Sequence, residues 1–213
     1  MSTPLLFWDV DTQHDFMRAD GKLYVPGSEE IIPVLAALTA HARASRIPIV
    51  ASADDHEPGH RELSDQPDFR ETFPPHCMRG TPGQAKIPET ALRDPLLIEP
   101  EPAGPSLRDA IRAHEGDFLL HKHWFDVFTN PNVDPLLEEL SPSRIVLYGV
   151  ALDVCNRYAV EGLLERLPAP AITVVEDATR AIDPAAGAGL LERWRGLGVR
   201  IVQARAVLGR TIP

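Results

Sequence analysis

Residues 145–164 read IVLYGVALDVCNRYAVEGLL. The run up to Tyr148 is continuously apolar, as a strand covered on both faces must be, and Gly149 offers a tight turn. From Asp153 onward the apolar residues recur at helical spacing, predicting a helix over 153–167. Strand, turn and helix in that order make half of a β-α-β unit, and the pattern repeats along the chain. Further strands are expected at Leu5–Val10, Pro48–Ala53, Leu96–Glu99, Phe118–His121, Arg144–Tyr148, Ile172–Val175 and Val199–Val202. Helices are expected at Ser28–Ser45, Ser106–His114, Pro131–Leu140, Asp153–Leu167 and Pro184–Leu197, the last with proline in its first turn, where a missing N–H costs little. Alternating β and α elements predict an α/β fold of three layers, α-β-α, around a mostly parallel sheet.

The 213 residues suit one domain spanning 1–213. One stretch, about 54–95, breaks the alternation. It is polar, rich in Pro, Gly and His, and long for a loop. Such insertions are usually functional or disordered, and the histidines favour function.

In open α/β sheets ligands bind at the carboxyl ends of the strands. Asp11 follows the first strand, Asp54 and His56 the second, and Lys122 the fourth; Cys155 lies just past the fifth. These residues should share one edge of the sheet. A thiol at a helix N-terminus feels the positive end of the dipole, which favours thiolate, and the free N–H groups of the first turn can stabilise an oxyanion. The alternative for Cys155 is a buried small apolar residue, the usual fate of a lone cysteine. Asp11 could take the thiol proton and return it to a leaving amine, or could simply cap a turn. Lys122, at the end of an apolar strand, needs a partner; beside Asp11 it would keep that carboxylate ionised, while at a solvated edge its stem would only cover the core. Asp9 is expected on the other face.

The insertion holds Asp54, His56 and His76, ligand types suited to a catalytic divalent metal with open positions. Asp55 and His60 are rival ligands by type. One aspartate and two neutral histidines would leave such an ion with net positive charge. A purely structural zinc site usually has four ligands and more cysteine.

Composition narrows the partners. Hydrophobic residues at 44% and charged residues at 24% support a folded chain. The formal charge of −10 disfavours nucleic acid and anionic membranes. The N-terminus MSTPLLFWDVD reaches charge within eleven residues and has no basic region or cleavage site, so no signal peptide is expected. No apolar run is long enough for a bilayer. A reduced, cytoplasmic protein with Cys77 and Cys155 free is the expectation.

Taken together, VDTQHDF, FPPHC-x-x-GT, HKHWFDVF, GVALDVC and VVEDATRA resemble, in order and approximate spacing, the isochorismatase-like cysteine hydrolases, and within them the nicotinamidases. The resemblance spans essentially the whole chain. It implies the isochorismatase-like hydrolase fold, an Asp11-Lys122-Cys155 triad, and a metal on Asp54, His56 and His76. Asp54 is preferred over Asp55 by the family's D-x-H motif. It further implies a cis Val150–Ala151 peptide, an oxyanion hole at the Ala151 and Cys155 amides, and a ring-shaped substrate between Phe16 and Phe73. Phe73 departs from the tryptophan usual in nicotinamidases, and His14 from a common asparagine. The implied reaction is metal-assisted cleavage of a small amide, nicotinamide first, through a thioester. The metal would be zinc, iron or manganese, and family members often form homo-oligomers. Cys77, the rival nucleophile, has no matching helix or Asp-Lys pair and is expected to be structural. His60, His121 and His123 could line the pocket or face solvent. Another small amide or carbamoyl compound, or a binding protein on the same scaffold, are the other readings. A vinyl ether such as isochorismate would need neither the cysteine nor this metal set.

Overall fold

The computed structural model describes residues 4–209. The strands are β1 (Leu6–Val10), β2 (Ile49–Asp54), β3 (Leu96–Ile98), β4 (Phe118–Lys122), β5 (Ile145–Val150), β6 (Ile172–Arg180) and β7 (Arg200–Val202). The helices are α1 (His14–Met17), α2 (Ser28–Ala44), α3 (Ser106–Ala113), α4 (Val133–Leu140), α5 (Cys155–Leu164), α6 (Pro184–Leu197) and α7 (Ala204–Leu208). Among the described residues one sheet runs in the order β3-β4-β2-β1-β5-β6-β7. Every neighbouring pair is parallel, so the sheet is parallel throughout.

The two faces follow from the period of two along each strand. Leu6, Trp8 and Val10 of β1 join one core with Leu147, Ile111 of α3, Leu136 of α4, Leu163 of α5 and Trp194 of α6. Phe7 points the other way, into a core with Tyr148, Leu35 and Leu38 of α2, Met17 of α1 and Ala204 of α7. Each fully buried side chain of this size contributes roughly 1.5–3 kcal/mol, which is why the central strands carry almost no polar residues. Local signals set the ends of α6: Asp183 accepts the N–H groups of Ala185 and Ala186, Pro184 takes the first turn, and Gly198 closes the helix at φ +96°. No helix among the described residues is long and apolar enough to cross a membrane.

Several boundaries differ from the sequence reading. β2 and β4 each run one residue further than expected, to Asp54 and Lys122, and these two residues are register partners. β6 continues to Arg180 past the polar residues Glu176 and Asp177, across a register shift against β5 that an apolar-run reading misses. Gly149 is not a turn. It lies inside β5, paired with Val10 on one side and Thr179 on the other. Its φ is +113°, and a Cβ there would come within 2.1 Å of the Val10 carbonyl oxygen. Glycine is therefore required by the approach of β5 to β1, and the turn falls in residues 151–154. The helix starts at Cys155, two residues later than expected.

β1 has β2 on one flank and β5 on the other, so the chain leaves β1 in one direction and later returns to its opposite side. A crevice opens at the carboxyl ends of strands at such a reversal. Gly149→Ala is expected to destabilise the protein by roughly 2–4 kcal/mol, combining the left-handed backbone with the overlap on Val10, as read from the midpoint of urea unfolding.

Candidate active site

Asp11, Lys122 and Cys155 meet at that crevice. Asp11, at the exit of β1, has φ +48°, an uncommon conformation for a residue with a Cβ. In a regular strand residues 9 and 11 would share a face. The left-handed backbone breaks the alternation: Asp9 pairs with Lys86 at 3.0 Å, while Asp11 turns toward Lys122. The Lys122 ammonium lies 3.0 Å from Asp11 Oδ2, contacts Asp54 Oδ1, and stands 3.7 Å from the Cys155 sulfur. Ser52 donates its hydroxyl to Asp11 Oδ1 at 2.6 Å. All of these side chains are buried, Asp11 to 0% exposure and Lys122 to 1%.

Burial sets the protonation of the group. It pushes the Cys155 thiol well above its usual range, with Lys122 pulling back and Asp11 adding to the rise. Burial likewise raises Asp11, only partly offset by Lys122. Burial alone would lower Lys122, but the charges of Asp11 and Asp54 hold it well above the ordinary lysine value. The helix-dipole argument for a resting thiolate is thus outweighed. The cysteine rests as a thiol beside the Lys122 ammonium.

The residues between β5 and α5 are held from several sides. Asn156 donates to the Gly149 carbonyl at 3.0 Å and to Thr179 Oγ1 at 2.8 Å, and the Leu152 N–H reaches the Arg180 carbonyl at 2.8 Å. The Val150–Ala151 peptide is cis. Among the described residues no acceptor takes the N–H of Ala151 or of Cys155.

Beside this trio lies a second cluster. Asp54, His56, Glu62 and His76 are all buried, and one ligand atom from each falls within 4.8 Å of the others. Asp54 is clamped by Gln13, which accepts its N–H and donates to its carbonyl, each at 2.7 Å. The Nδ1 of His76 lies 2.8 Å from the Pro74 carbonyl, so Nδ1 carries a proton and Nε2 faces the cluster, where a bound cation would displace its proton. His56 Nδ1 lies 3.4 Å from His60 Nδ1, which already accepts the Glu57 N–H. His56 therefore donates there, and its Nε2 also faces inward. His56 Nε2, His76 Nε2 and Glu62 Oε2 are buried without a hydrogen-bond partner. Four convergent N and O donors, three carrying unsatisfied atoms, fit a divalent metal ion. Without a cation the carboxylates lie close together: burial and then Asp54 raise Glu62 to about 7. Burial alone would lower His76, but Asp54 and Glu62 raise it to about 10, while burial lowers His56 to about 4.

Glu62 was not anticipated. It stands among Asp and Glu residues of a polar loop, and nothing in its spacing marks it. It also changes the charge: two carboxylates and two neutral histidines balance a divalent ion rather than leave it positive. Asp55 points elsewhere, bound by Arg79 and Gln84. His60 supports His56, His121 pairs with Glu99 at 3.0 Å, and His123 packs against His60 with their rings tilted at 38°. Cys77 is fully buried at φ +44°, with its N–H bound to Asp15.

Between the clusters is a cavity of about 370 Å³, counting its open mouth. Cys155 and Ala151 form one wall, Asp54 and Glu62 another, and Phe16 and Phe73 line it as expected. Phe125 lines it too, edge-on to Phe73 with ring centres 5.6 Å apart; sequence reading left this residue unassigned within HKHWFDVF.

A wholly parallel sheet with a lysine-bridged cysteine and a carboxylate–histidine nest defines a class of hydrolase-like α/β proteins, and comparison with known proteins specifies it. Residues 5–206 match the isochorismatase domain family, and the chain belongs to that family. It is 28% identical over 197 residues to a nicotinamidase/pyrazinamidase of Mycobacterium tuberculosis, covering 91% of this chain and 95% of that protein. The fold is shared with the pyrazinamidase of Pyrococcus horikoshii in complex with zinc, at TM-score 0.72, 23% identity and coverage of 93% and 98%. An N-carbamoylsarcosine amidase from Thermoplasma acidophilum aligns at TM-score 0.68 and 25% identity, covering 94% of this chain and 96% of its own.

His76→Ala and Glu62→Ala are each expected to weaken divalent-metal binding by roughly tenfold or more, since even outer-shell changes cost 10–100-fold. Asp55→Ala should leave the metal affinity unchanged. Competition against a chromogenic zinc chelator reads all three.

Proposed function

We propose that this chain hydrolyses nicotinamide to nicotinate and ammonia through a thioester on Cys155. Family membership and the nicotinamidase relatives make it an amidohydrolase acting on carbon–nitrogen bonds. The observation that carries the finer reading is Lys122, placed 3.0 Å from Asp11 and 3.7 Å from the Cys155 sulfur on the wall of a ring-sized aromatic cavity.

Asp11 takes the proton of the Cys155 thiol, the two being brought together around the Lys122 ammonium. Lys122 keeps the trio from accumulating uncompensated negative charge as the thiolate forms. The sulfur attacks the amide carbon, and the N–H groups of Ala151 and Cys155 receive the developing oxyanion. Asp11 then returns the proton to the departing nitrogen, and ammonia leaves. Water cleaves the thioester with Asp11 again as base. Phe16, Phe73 and Phe125 pack the ring and exclude water from it. Asp54, His56, Glu62 and His76 would hold a divalent ion, which when bound would supply a Lewis-acid anchor for the far end of the substrate. Zinc suits this donor set, as do iron and manganese.

A second reading keeps the chemistry and changes the substrate. Phe73 is smaller than the tryptophan usual in nicotinamidases, which leaves room for another small amide or a carbamoyl compound. The free thiols of Cys77 and Cys155 suit a cytoplasmic setting, and a homo-oligomer follows from the resemblance alone.

Cys155→Ala is expected to lower ammonia release from nicotinamide by roughly 10⁴-fold or more, as loss of a covalent nucleophile does, with metal content and unfolding midpoint retained. Activity within tenfold of the parent in that variant would falsify the nucleophile assignment.

A further inference from the structure

The reaction cavity opens outward into a second, wider space. Leu23, Phe73, Phe125, Val154 and Ile182 line both. The outer space measures about 1050 Å³ with its mouth, far more than one ring requires. Two of the exposed large apolar residues, Phe69 and Ile182, stand on its rim at 64% and 44% exposure. The nucleophile's helix also reaches it, through Arg157, two residues past Cys155.

Among the described residues two arginines line this space, Arg70 and Arg157, and neither is ion-paired; Arg157 is the one whose guanidinium has a buried nitrogen without a partner. Arg18, Arg79, Arg108, Arg166 and Arg180 each pair with a carboxylate. Among the described residues, none lies within ion-pair reach of Arg157. Its guanidinium sits 4.8 Å from the centre of the Tyr158 ring, and its Nε is buried without a hydrogen-bond partner. The two acids on the same wall are committed elsewhere. Asp153 accepts the N–H groups of Ile182 and Asp183 at 2.9 and 2.8 Å. Asp183 caps α6 through Ala185 and Ala186. A partly desolvated guanidinium lacking an anion is unfavourable, and its planar fork matches a carboxylate.

We propose that Arg157 binds a carboxylate on the substrate, so that the amides this enzyme prefers carry an anionic group at the end remote from the scissile bond. The inference rests on Cys155 being the amidase nucleophile and takes up the second substrate reading, another small amide, in place of nicotinamide, which carries no carboxylate. The acyl group fills the inner cavity, and the chain beyond it passes Phe73 and Val154 into the outer space, where the carboxylate meets Arg157. The stacked Tyr158 ring holds the guanidinium in place and excludes water from one of its faces.

The test is ammonia release by the full, metal-replete chain from succinamate, glutaramate and adipamate, each against its methyl ester. In the parent protein at least one acid should exceed its ester in kcat/KM by roughly tenfold or more, the size of one charge-assisted hydrogen bond. Arg157→Ala should remove that preference, and Arg157→Lys should keep part of it. An acid-to-ester ratio unchanged in Arg157→Ala, or no acid preferred at any length, overturns the proposal. If neither nicotinamide nor any of these amides releases ammonia, the hydrolase reading has failed separately. Calorimetric binding of glutarate then decides on Arg157 alone: binding weakened tenfold or more by Arg157→Ala supports the anion subsite, and equal or absent binding overturns it.

Discussion

A single buried ammonium organises this end of the molecule. Lys122 lies between Asp11 and Asp54, with Cys155 beside it and essentially no exposure to solvent. Burying three charged groups is costly, and their mutual attraction offsets the cost only while all are present; removing one partner of such a group typically costs about 3–5 kcal/mol. The sheet supplies the geometry. Asp54 and Lys122 are register partners at the ends of β2 and β4, and Asp11 leaves the neighbouring β1. Three adjacent strands therefore present the three charges before any loop is considered.

Asp54 belongs to both clusters. One of its oxygens meets Lys122, and the other lies 3.7 Å from His76 Nε2 and 3.9 Å from His56 Nε2. The Asp11-Lys122-Cys155 trio and the candidate metal nest thus share a carboxylate. A cation in the nest would draw on charge that Lys122 also uses, so the electrostatics of nucleophile and metal are coupled through one side chain. Glu62 supplies the second negative charge that lets a divalent ion sit there without competing with Lys122 for all of Asp54.

The proposed nucleophile, Cys155, is placed by backbone constraints. Gly149 lets β5 approach β1, Asn156 ties the start of α5 back to that strand, and Cys155 begins the helix with its N–H unclaimed. Because burial holds the thiol protonated, reactivity depends on the adjacent base rather than on a standing thiolate. A solvent-exposed cysteine with a low pKa would be open to oxidation; this one is buried and protonated.

Much of this was legible from the sequence by itself. Apolar runs alternating with helical periodicity determined a parallel α/β sheet, and the rule that ligands gather at strand ends brought Asp11, Asp54, Lys122 and Cys155 to one edge. The family's motifs assigned roles to them and to His56, His76, Phe16 and Phe73. The fold reading works because strand burial and helix amphipathicity are local patterns of residue type. Only the tertiary structure decided the rest. Glu62 reaches the metal nest because the insertion folds back through bridges such as Leu63 with Phe73, a long-range pairing that leaves no period in the sequence. Gly149 reads as a turn until Val10 is beside it, and Arg157 as one more surface charge until the acids around it prove to be engaged elsewhere. Whether a thiol is charged, a carboxylate shared or a guanidinium left alone depends on distance and burial, which no single stretch of chain contains.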